Sequence, residues 1–589
     1  MSPSQVPSPV PVLSPDLVSV LKNRVEATLV AIIEKNRRTR YFSESPDFAD
    51  FHDALRKLGR EDDGDISDDT LLETYRTTIP LTTYDSYEPF ATKFLAETCQ
   101  EDDVRDMFSP GLPHHIAITS STSSPKPKLY CKYQHQGSMR HAFGEGSNTF
   151  WTFSLHYRQL VKVQNRNGNI ISTIPAGIGS SGTLRMRSGL EVEDDHLNIK
   201  LRGKWATSPV AVGFIRDYRT FMLTHTLFAL ANSMIETITI IFTTSIVDMI
   251  RYMEEEWDSL IASIEKGELP PWDGIQHARE YLQPHFPPRP DRAAQLRAIG
   301  KATNQPGWLV EIWPMLKTTI SISSGVFSVA IPKLRFYLGP NVQLRSLGFI
   351  TSEAYVATVY DPSDLNLFKV TPQDIIEYLD VEKEENASSI IPPWLVGVGK
   401  HYEIVCTTRD GLWRYRLGDV VEIAGFDPTD GTPIIRYFER RNVTTWMAGG
   451  VLTEQRITTA ILAVQDTLAP IVEFTAIIDG RSGIPTLGYF VEVHGELHPE
   501  AAKAPMKLHE ELCRLNEEFD PQRMQIPTIR LLEPGTFAEY RKWKIEMSNS
   551  GSGQTKVPVL LWDNTAQEWM LARVRREFGV NSSDGVVQN

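Results

Sequence analysis

The chain has 589 residues, too many for one small core, so two or more packed units are expected. Lys and Arg total 60 against 74 Asp and Glu, a formal charge of -14 with no strong basic cluster, which argues against a nucleic-acid-binding protein. Hydrophobic content of 41% and charged content of 23% are those of a folded globular chain, excluding a fibrous or disordered class.

In chain order, residues Met1 to Asp16 are rich in Pro and Ser and lack the basic start and apolar core of a secretory signal, so they read as a disordered tail on a cytoplasmic protein. Helical periodicity follows over Leu17 to Lys35 and, more briefly, over Asp47 to Leu58. Ile116 to Thr119, Lys128 to Lys132 and Asn169 to Ile174 are short and β-rich. The greasiest stretch, Phe221 to Ile250, is interrupted by His225, Asn232, Glu236 and Asp248; it predicts one or two buried helices and no membrane span. Strand-like pieces and turns run from Ile320 through Val359, then His401 to Thr407 and Val420 to Ala424. Asp427 to Pro433 holds two prolines, a glycine and two acids, which end regular structure, and a hinge is expected at 428–433. Beyond it, strand-like Ile471 to Ile478 and Gly488 to Val493 alternate with helix-like Glu454 to Val464 and Met506 to Glu518. The expected organisation is therefore mixed α/β: a disordered tail over 1–16, a large N-terminal domain of sheets and flanking helices over 17–427, a smaller mobile α/β lid over 434–578 and a frayed tail over 579–589. Four scattered cysteines without a CxxC pair read as reduced core residues, and no zinc grid is visible.

Four segments carry chemistry. After strand-like Ile116 to Ile118 comes Thr119-Ser120-Ser121-Thr122-Ser123-Ser124-Pro125-Lys126-Pro127-Lys128, whose hydroxyls, backbone N–H groups and lysine suit phosphate oxygens; taken alone it reads first as a plain surface loop, and only its partners point to phosphate. Phe349-Ile350-Thr351-Ser352-Glu353 offers an aromatic face for a purine, two hydroxyls for a phosphate and a carboxylate able to hold Mg²⁺, against the plainer reading of a strand end with one acid. Tyr402 to Val421 reads as strand, glycine turn, strand, with Gly418-Asp419 at a bend where one carboxylate can accept both ribose hydroxyls. Ser548 to Pro558 is a glycine-rich loop able to deliver Lys556 into a cleft, or simply a solvated linker.

In this order the four segments resemble the acyl acid amido synthetases of the Gretchen Hagen (auxin-responsive promoter) family, relatives of the acyl-adenylating superfamily. The matching motifs are Ser120 to Lys128, Phe349 to Glu353, Trp413 to Val421 and Gln554 to Pro558, with Ile79 to Asp85, Glu254 to Trp257 and Phe438 to Asn442 in support. Ser121 and Pro125 stand where the family usually has glycines, and Phe349 where it has Tyr. The resemblance implies a firefly-luciferase-like architecture, and ATP and Mg²⁺ as cofactors. It also implies a reaction in which a carboxylic acid becomes acyl-AMP and is passed to an amine or amino acid. On these positions, Ser120, Ser121, Thr122, Ser123 and Lys128 would line the phosphates and Phe349 would stack on adenine. Thr351 and Ser352 would lie by the α-phosphate, Glu353 would bind Mg²⁺, Asp419 would hold the ribose, Arg440 would sit near the nucleotide, and Lys556 would arrive from the lid. A monomer is expected, with no nucleic-acid or membrane partner. Two other readings share these motifs: an adenylating enzyme with a thiol or alcohol acceptor, and a binding protein that kept the fold. Gly177-Ile178-Gly179-Ser180-Ser181-Gly182 spells GxGxxG, but Pro175 before it and the alternating Arg185 and Arg187 after it predict a loop and strand, not a dinucleotide turn.

Overall fold

The computed structural model describes residues 6–57, 66–119, 127–134, 148–202, 206–302, 305–441, 444–447, 450–481, 484–516, 518–520, 523, 525–548 and 555–579. The chain divides into two compact units that interleave in sequence: residues 1–145, 153–202 and 345–438 form one, and residues 146–152, 203–344 and 439–589 the other.

The first unit opens with helix α1 (Pro15–Asn36), started by Pro15 in its first turn and by Ser14, whose hydroxyl accepts from the Leu17 amide at 3.3 Å. Residues ahead of it are not a free tail: Val10 exchanges backbone hydrogen bonds of 2.8 and 2.9 Å with Phe426, and the Tyr360 hydroxyl donates to the Pro7 carbonyl. Paired backbone, not composition, decides the state of this segment; residues 1–5 lie outside the described ones. A five-stranded sheet has the order Cys99–Gln100, β3 (Gln159–Gln164), β4 (Ile170–Gly177), β1 (His115–Ile118), β2 (Leu129–Lys132), with β1 and β2 antiparallel.

Strand β4 leads into helix α2 (Gly179–Ser188), so the GxGxxG segment does lie between a strand and a helix, contrary to the strand expected after it. The apparent alternation of Arg185 and Arg187 was misleading because Arg185 is a buried helix residue, donating to the Leu155 carbonyl and paired with Asp195. The glycines serve close packing here: a Cβ on Gly182 would fall 2.1 Å from the His115 ring, and one on Gly177 would fall 3.0 Å from the Tyr157 backbone.

The second half of this unit is an eight-stranded sheet. Its strands in chain order are β5 (Phe349–Ile350), β6 (Tyr355–Val359), β7 (Phe368–Val370), β8 (Ile375–Asp380), β9 (Ile390–Ile391), β10 (His401–Thr407), β11 (Tyr415–Phe426) and β12 (Pro433–Arg440), and they are ordered β5-β6-β7-β12-β11-β10-β8-β9. The segment expected to be a hinge is the turn joining neighbouring strands β11 and β12. It is fastened by Lys369 to Asp427 and Asp430, and by Arg24 of α1 to Asp430 and Thr432. Burial works against the Asp430 charge, yet Thr432 and Lys369 hold its pKa at about 2. Turn-forming residues mark a reversal of the chain without saying whether it moves, and the compact units part at 438/439 instead.

In the second unit, helix Tyr218–Leu230 is followed by strand Thr237–Phe242 and helix Thr243–Glu255. The helices expected in Phe221 to Ile250 are thus split by a strand, which the β-branched run Thr237-Ile238-Thr239-Ile240-Ile241 favours. That strand is parallel to Thr149–Trp151 and to Thr318–Ile322. Near the C-terminus, strands Ile471–Asp479, Thr486–Val493, Thr528–Leu532 and Val574–Phe578 form a four-stranded sheet in that order, with helices Glu454–Leu462, Ala504–Leu515 and Thr536–Ser548 nearby in sequence. Among the described residues no helix is long and apolar enough to cross a membrane.

Candidate nucleotide site

The Ser/Thr-rich segment connects the antiparallel strands β1 and β2. Its stem is closed by Thr119, whose amide donates to the Lys128 carbonyl at 3.0 Å and whose hydroxyl accepts from the Lys128 amide at 2.9 Å. Ser120, Ser121, Thr122 and Ser123 lie outside the described residues. Lys128 is half-buried, with its ammonium 5.7 Å from the centre of the Tyr84 ring.

Phe349 to Glu353 leaves β5 and enters β6 through a tight turn. The Thr351 amide donates to the Ala354 carbonyl at 3.0 Å, and the Thr351 hydroxyl accepts from the Ala354 amide at 3.0 Å. The half-buried Phe349 ring meets Tyr437 edge-on at 5.8 Å and Phe368 at 6.3 Å. Ser352 is half-buried, while Glu353 is 6% exposed.

Strand β2 is the common neighbour of both segments. Side chains alternate across a strand, so Lys128, Tyr130 and Lys132 share one parity. The Lys132 ammonium donates to the Glu353 carbonyl at 2.7 Å. The Tyr130 and Tyr415 hydroxyls are 2.6 Å apart. Burial first, and then the neighbouring Glu353 carboxylate, raises both phenols well above their ordinary pKa, so both keep their protons and can donate. Lys132 also lies 3.8 Å from Asp410, which accepts from the Tyr133 and Gln134 amides at 2.8 and 2.9 Å.

Asp419 belongs to β11, where the pairing with β10 slips between Glu403 and Val405. Gly418 supplies the positive φ of 79° at this irregularity, and Asp419 is 4% exposed. The carboxylate expected at a bend thus sits at a bulge inside a long strand. One unit therefore carries Lys128, Phe349, Thr351, Ser352, Glu353 and Asp419. Arg440 ends β12 and, with Lys556, is assigned to the other unit. The Lys556 ammonium is 5.4 and 5.6 Å from the centres of Phe242 and Phe327, two rings stacked 4.4 Å apart and 8° from parallel. Near-equal distances to parallel rings put it beside the stack and over neither outer face.

Sequence reasoning missed Lys132, Tyr130, Tyr415 and Asp410. The Lys-x-Tyr-x-Lys alternation at 128, 130 and 132 was the available signal, since a strand so patterned turns polar groups toward one side. The helix Tyr218–Leu230 is buried along nearly all its length, with His225 bonded to Ser208 at 2.9 Å and Arg219 paired with Glu255 and Glu256, so these side chains are engaged within the fold.

Comparison with known families decides the kinship. The GH3 family N-terminal domain matches residues 19–343, its central domain residues 370–440 and its C-terminal domain residues 455–565. The chain belongs to the GH3 family. An indole-3-acetic acid-amido synthetase GH3.8 of Oryza sativa subsp. indica is 28% identical over 343 residues, 54% of this chain and 55% of that protein. The chain thus spans about half the length of that relative. A jasmonoyl-L-amino acid synthetase GH3.5 of Oryza sativa subsp. japonica is 25% identical over 511 residues, 79% of this chain and 83% of that one. The solved structure of the GH3.15 acyl acid amido synthetase superposes with a TM-score of 0.73 at 20% identity, covering 96% of both chains. This GH3 chain therefore has the mixed α/β fold of that protein.

Proposed function

We propose that this GH3 protein uses ATP to convert a carboxylic acid to its acyl-adenylate and then transfers the acyl group to an amine, namely an amino acid as in the name of its jasmonoyl-L-amino acid synthetase relative. One observation carries the reading: Lys128, at the stem of the Ser/Thr segment, leads directly into β2, and Lys132 of that strand bonds the Glu353 carbonyl, so one strand links the segments expected to hold the phosphates and the metal ion. The relatives' names, amido synthetase and L-amino acid synthetase, favour nitrogen over a thiol or alcohol as the acceptor.

Among the described residues no cluster of three His, Cys, Asp or Glu side chains can hold a metal unaided. A lone buried carboxylate, Glu353, fits Mg²⁺ carried mainly by nucleotide phosphates and water. When bound, that ion would neutralise phosphate charge. The chain's own residues do the rest. Ser120, Ser121, Thr122, Ser123 and Lys128 bind the phosphates, Thr351 and Ser352 orient the α-phosphate, Phe349 packs on adenine, Asp419 accepts the ribose hydroxyls, and Arg440 lies by the nucleotide. Lys556 offsets the repulsion between carboxylate and triphosphate in the first step. A carboxylate oxygen attacks the α-phosphorus, the bond to the β-phosphate breaks and pyrophosphate leaves. The amine nitrogen then attacks the acyl carbon; the C–N bond forms, the C–O bond to AMP breaks, and the amine proton passes to solvent. The protein works as a monomer in the cytoplasm.

The test is pyrophosphate release over an acid library with hydroxylamine as generic acceptor. Acid-dependent release with hydroxamate formation supports the reading, and its absence across a broad panel overturns it.

A further inference from the structure

Lys132 is a buried cation, and a buried ammonium persists only where it is hydrogen-bonded or paired. Its two partners come from different segments. One is the Glu353 carbonyl at 2.7 Å, in the turn between β5 and β6. The other is the Asp410 carboxylate at 3.8 Å, in the turn before β11, the strand that carries Asp419. Asp410 in turn accepts two amides just past the end of β2, at Tyr133 and Gln134, closing a ring from β2 to the 408–411 turn and back. The Thr351 and Ala354 bonds fix the Glu353 turn internally; two residues of β2 tie that turn to the strand, Tyr130 at the Glu353 carboxylate and Lys132 at the Glu353 carbonyl, and of the two only Lys132 also reaches Asp410.

We propose that Lys132 is a positioning residue for nucleotide binding, joining through one ammonium the phosphate-loop strand, the Glu353 turn and the turn leading to the Asp419 strand. It touches no reacting atom. Its charge cancels that of Asp410, and its hydrogen bond holds the Glu353 backbone so that the carboxylate stays aimed at the metal–nucleotide. This rests on the reading that the Phe349 to Glu353 turn binds ATP. Groups that orient a ligand-bearing side chain typically cost tenfold or more in affinity when removed.

The experiment uses the full chain with Mn²⁺ and ATP, without any acid, and reads bound Mn²⁺ by electron paramagnetic resonance; steady-state KM values for ATP and for a carboxylic acid accompany it. Lys132→Met removes the charge at similar volume, and Lys132→Met with Asp410→Asn removes both charges while an amide oxygen still accepts the two backbone bonds, keeping a folded protein available. Both variants are expected to bind Mn²⁺–ATP about tenfold more weakly and to raise KM for ATP alike, with KM for the acid within about twofold. A merely structural lysine would lower thermal stability and leave the affinity of the folded protein alone. Wild-type affinity in both variants, with Glu353→Gln weakened, overturns the role of Lys132 and leaves the ATP reading standing. No Mn²⁺–ATP binding by the wild type overturns both.

Discussion

Arg541 is 2% exposed and stands between two carboxylates. Its Nε and Nη2 donate to Asp248 at 2.6 Å each, and its Nη1 donates to Glu473 at 2.7 and 2.9 Å. The Tyr218 hydroxyl adds a bond of 2.9 Å to Asp248. Arg541 and Glu473 belong to the C-terminal part of the second unit and Asp248 to residues 203–344, so this cluster is one reason those distant stretches fold as one body. Arg541→Met keeps most of the volume but leaves two acids facing each other out of water. Breaking a buried ion pair from one side costs about 3–5 kcal/mol, more than the pair itself contributes. For a unit of this size, thermal unfolding should begin roughly 10 °C lower, read by calorimetry or tryptophan fluorescence. Replacing all three, Arg541→Met with Asp248→Leu and Glu473→Met, should restore most of that loss, because no unpaired charge remains. A single variant within about 1 kcal/mol of wild type, or a triple variant as damaged as the single one, would refute the electrostatic reasoning.

Burial, opposed by Arg541 and reinforced by Asp248 and Glu492, raises the Glu473 pKa from 4.5 to about 7. The folded state then holds this proton more tightly than the unfolded one, so its contribution is fully present below pH 4.5 and is lost as pH rises through 7; the span is worth about 3 kcal/mol. Glu473→Gln should therefore gain stability over wild type as pH goes from 5 to 8 in denaturant titrations, and parallel curves would contradict this. Lys556→Ala should slow adenylate formation about a hundredfold while sparing amide formation from supplied acyl-AMP, and equal loss in both steps would count against a role confined to the first. Asp419→Ala should raise the ATP concentration needed for half-maximal rate about tenfold, since two ribose hydroxyls lose a charged acceptor; an unchanged requirement would remove Asp419 from the ribose site.

Local chemistry made part of this molecule legible from sequence. Strands β1 and β2 were visible as short β-rich runs flanking the Ser/Thr loop, and α1 as a clean helical period. Segments whose fate depends on partners were not. The Thr237–Phe242 strand hides between two helices because an apolar run reads the same in either state, and its parallel neighbours arrive from residues 149–151 and 318–322. Residues 6–14 look unstructured by composition, yet Val10 finds Phe426 more than four hundred residues away in sequence. Lys132 escaped notice for the same reason: a lysine in a short strand is ordinarily solvated, and only the folded chain brings Glu353 and Asp410 to it.

Acid-dependent exchange of labelled pyrophosphate into ATP tests the central claim most directly, because it reads reversible adenylate formation without needing the acceptor. The account predicts exchange that requires both a carboxylic acid and a divalent metal ion and falls sharply in Glu353→Gln. Exchange that never appears with any acid, or that proceeds unchanged in Glu353→Gln, would contradict it.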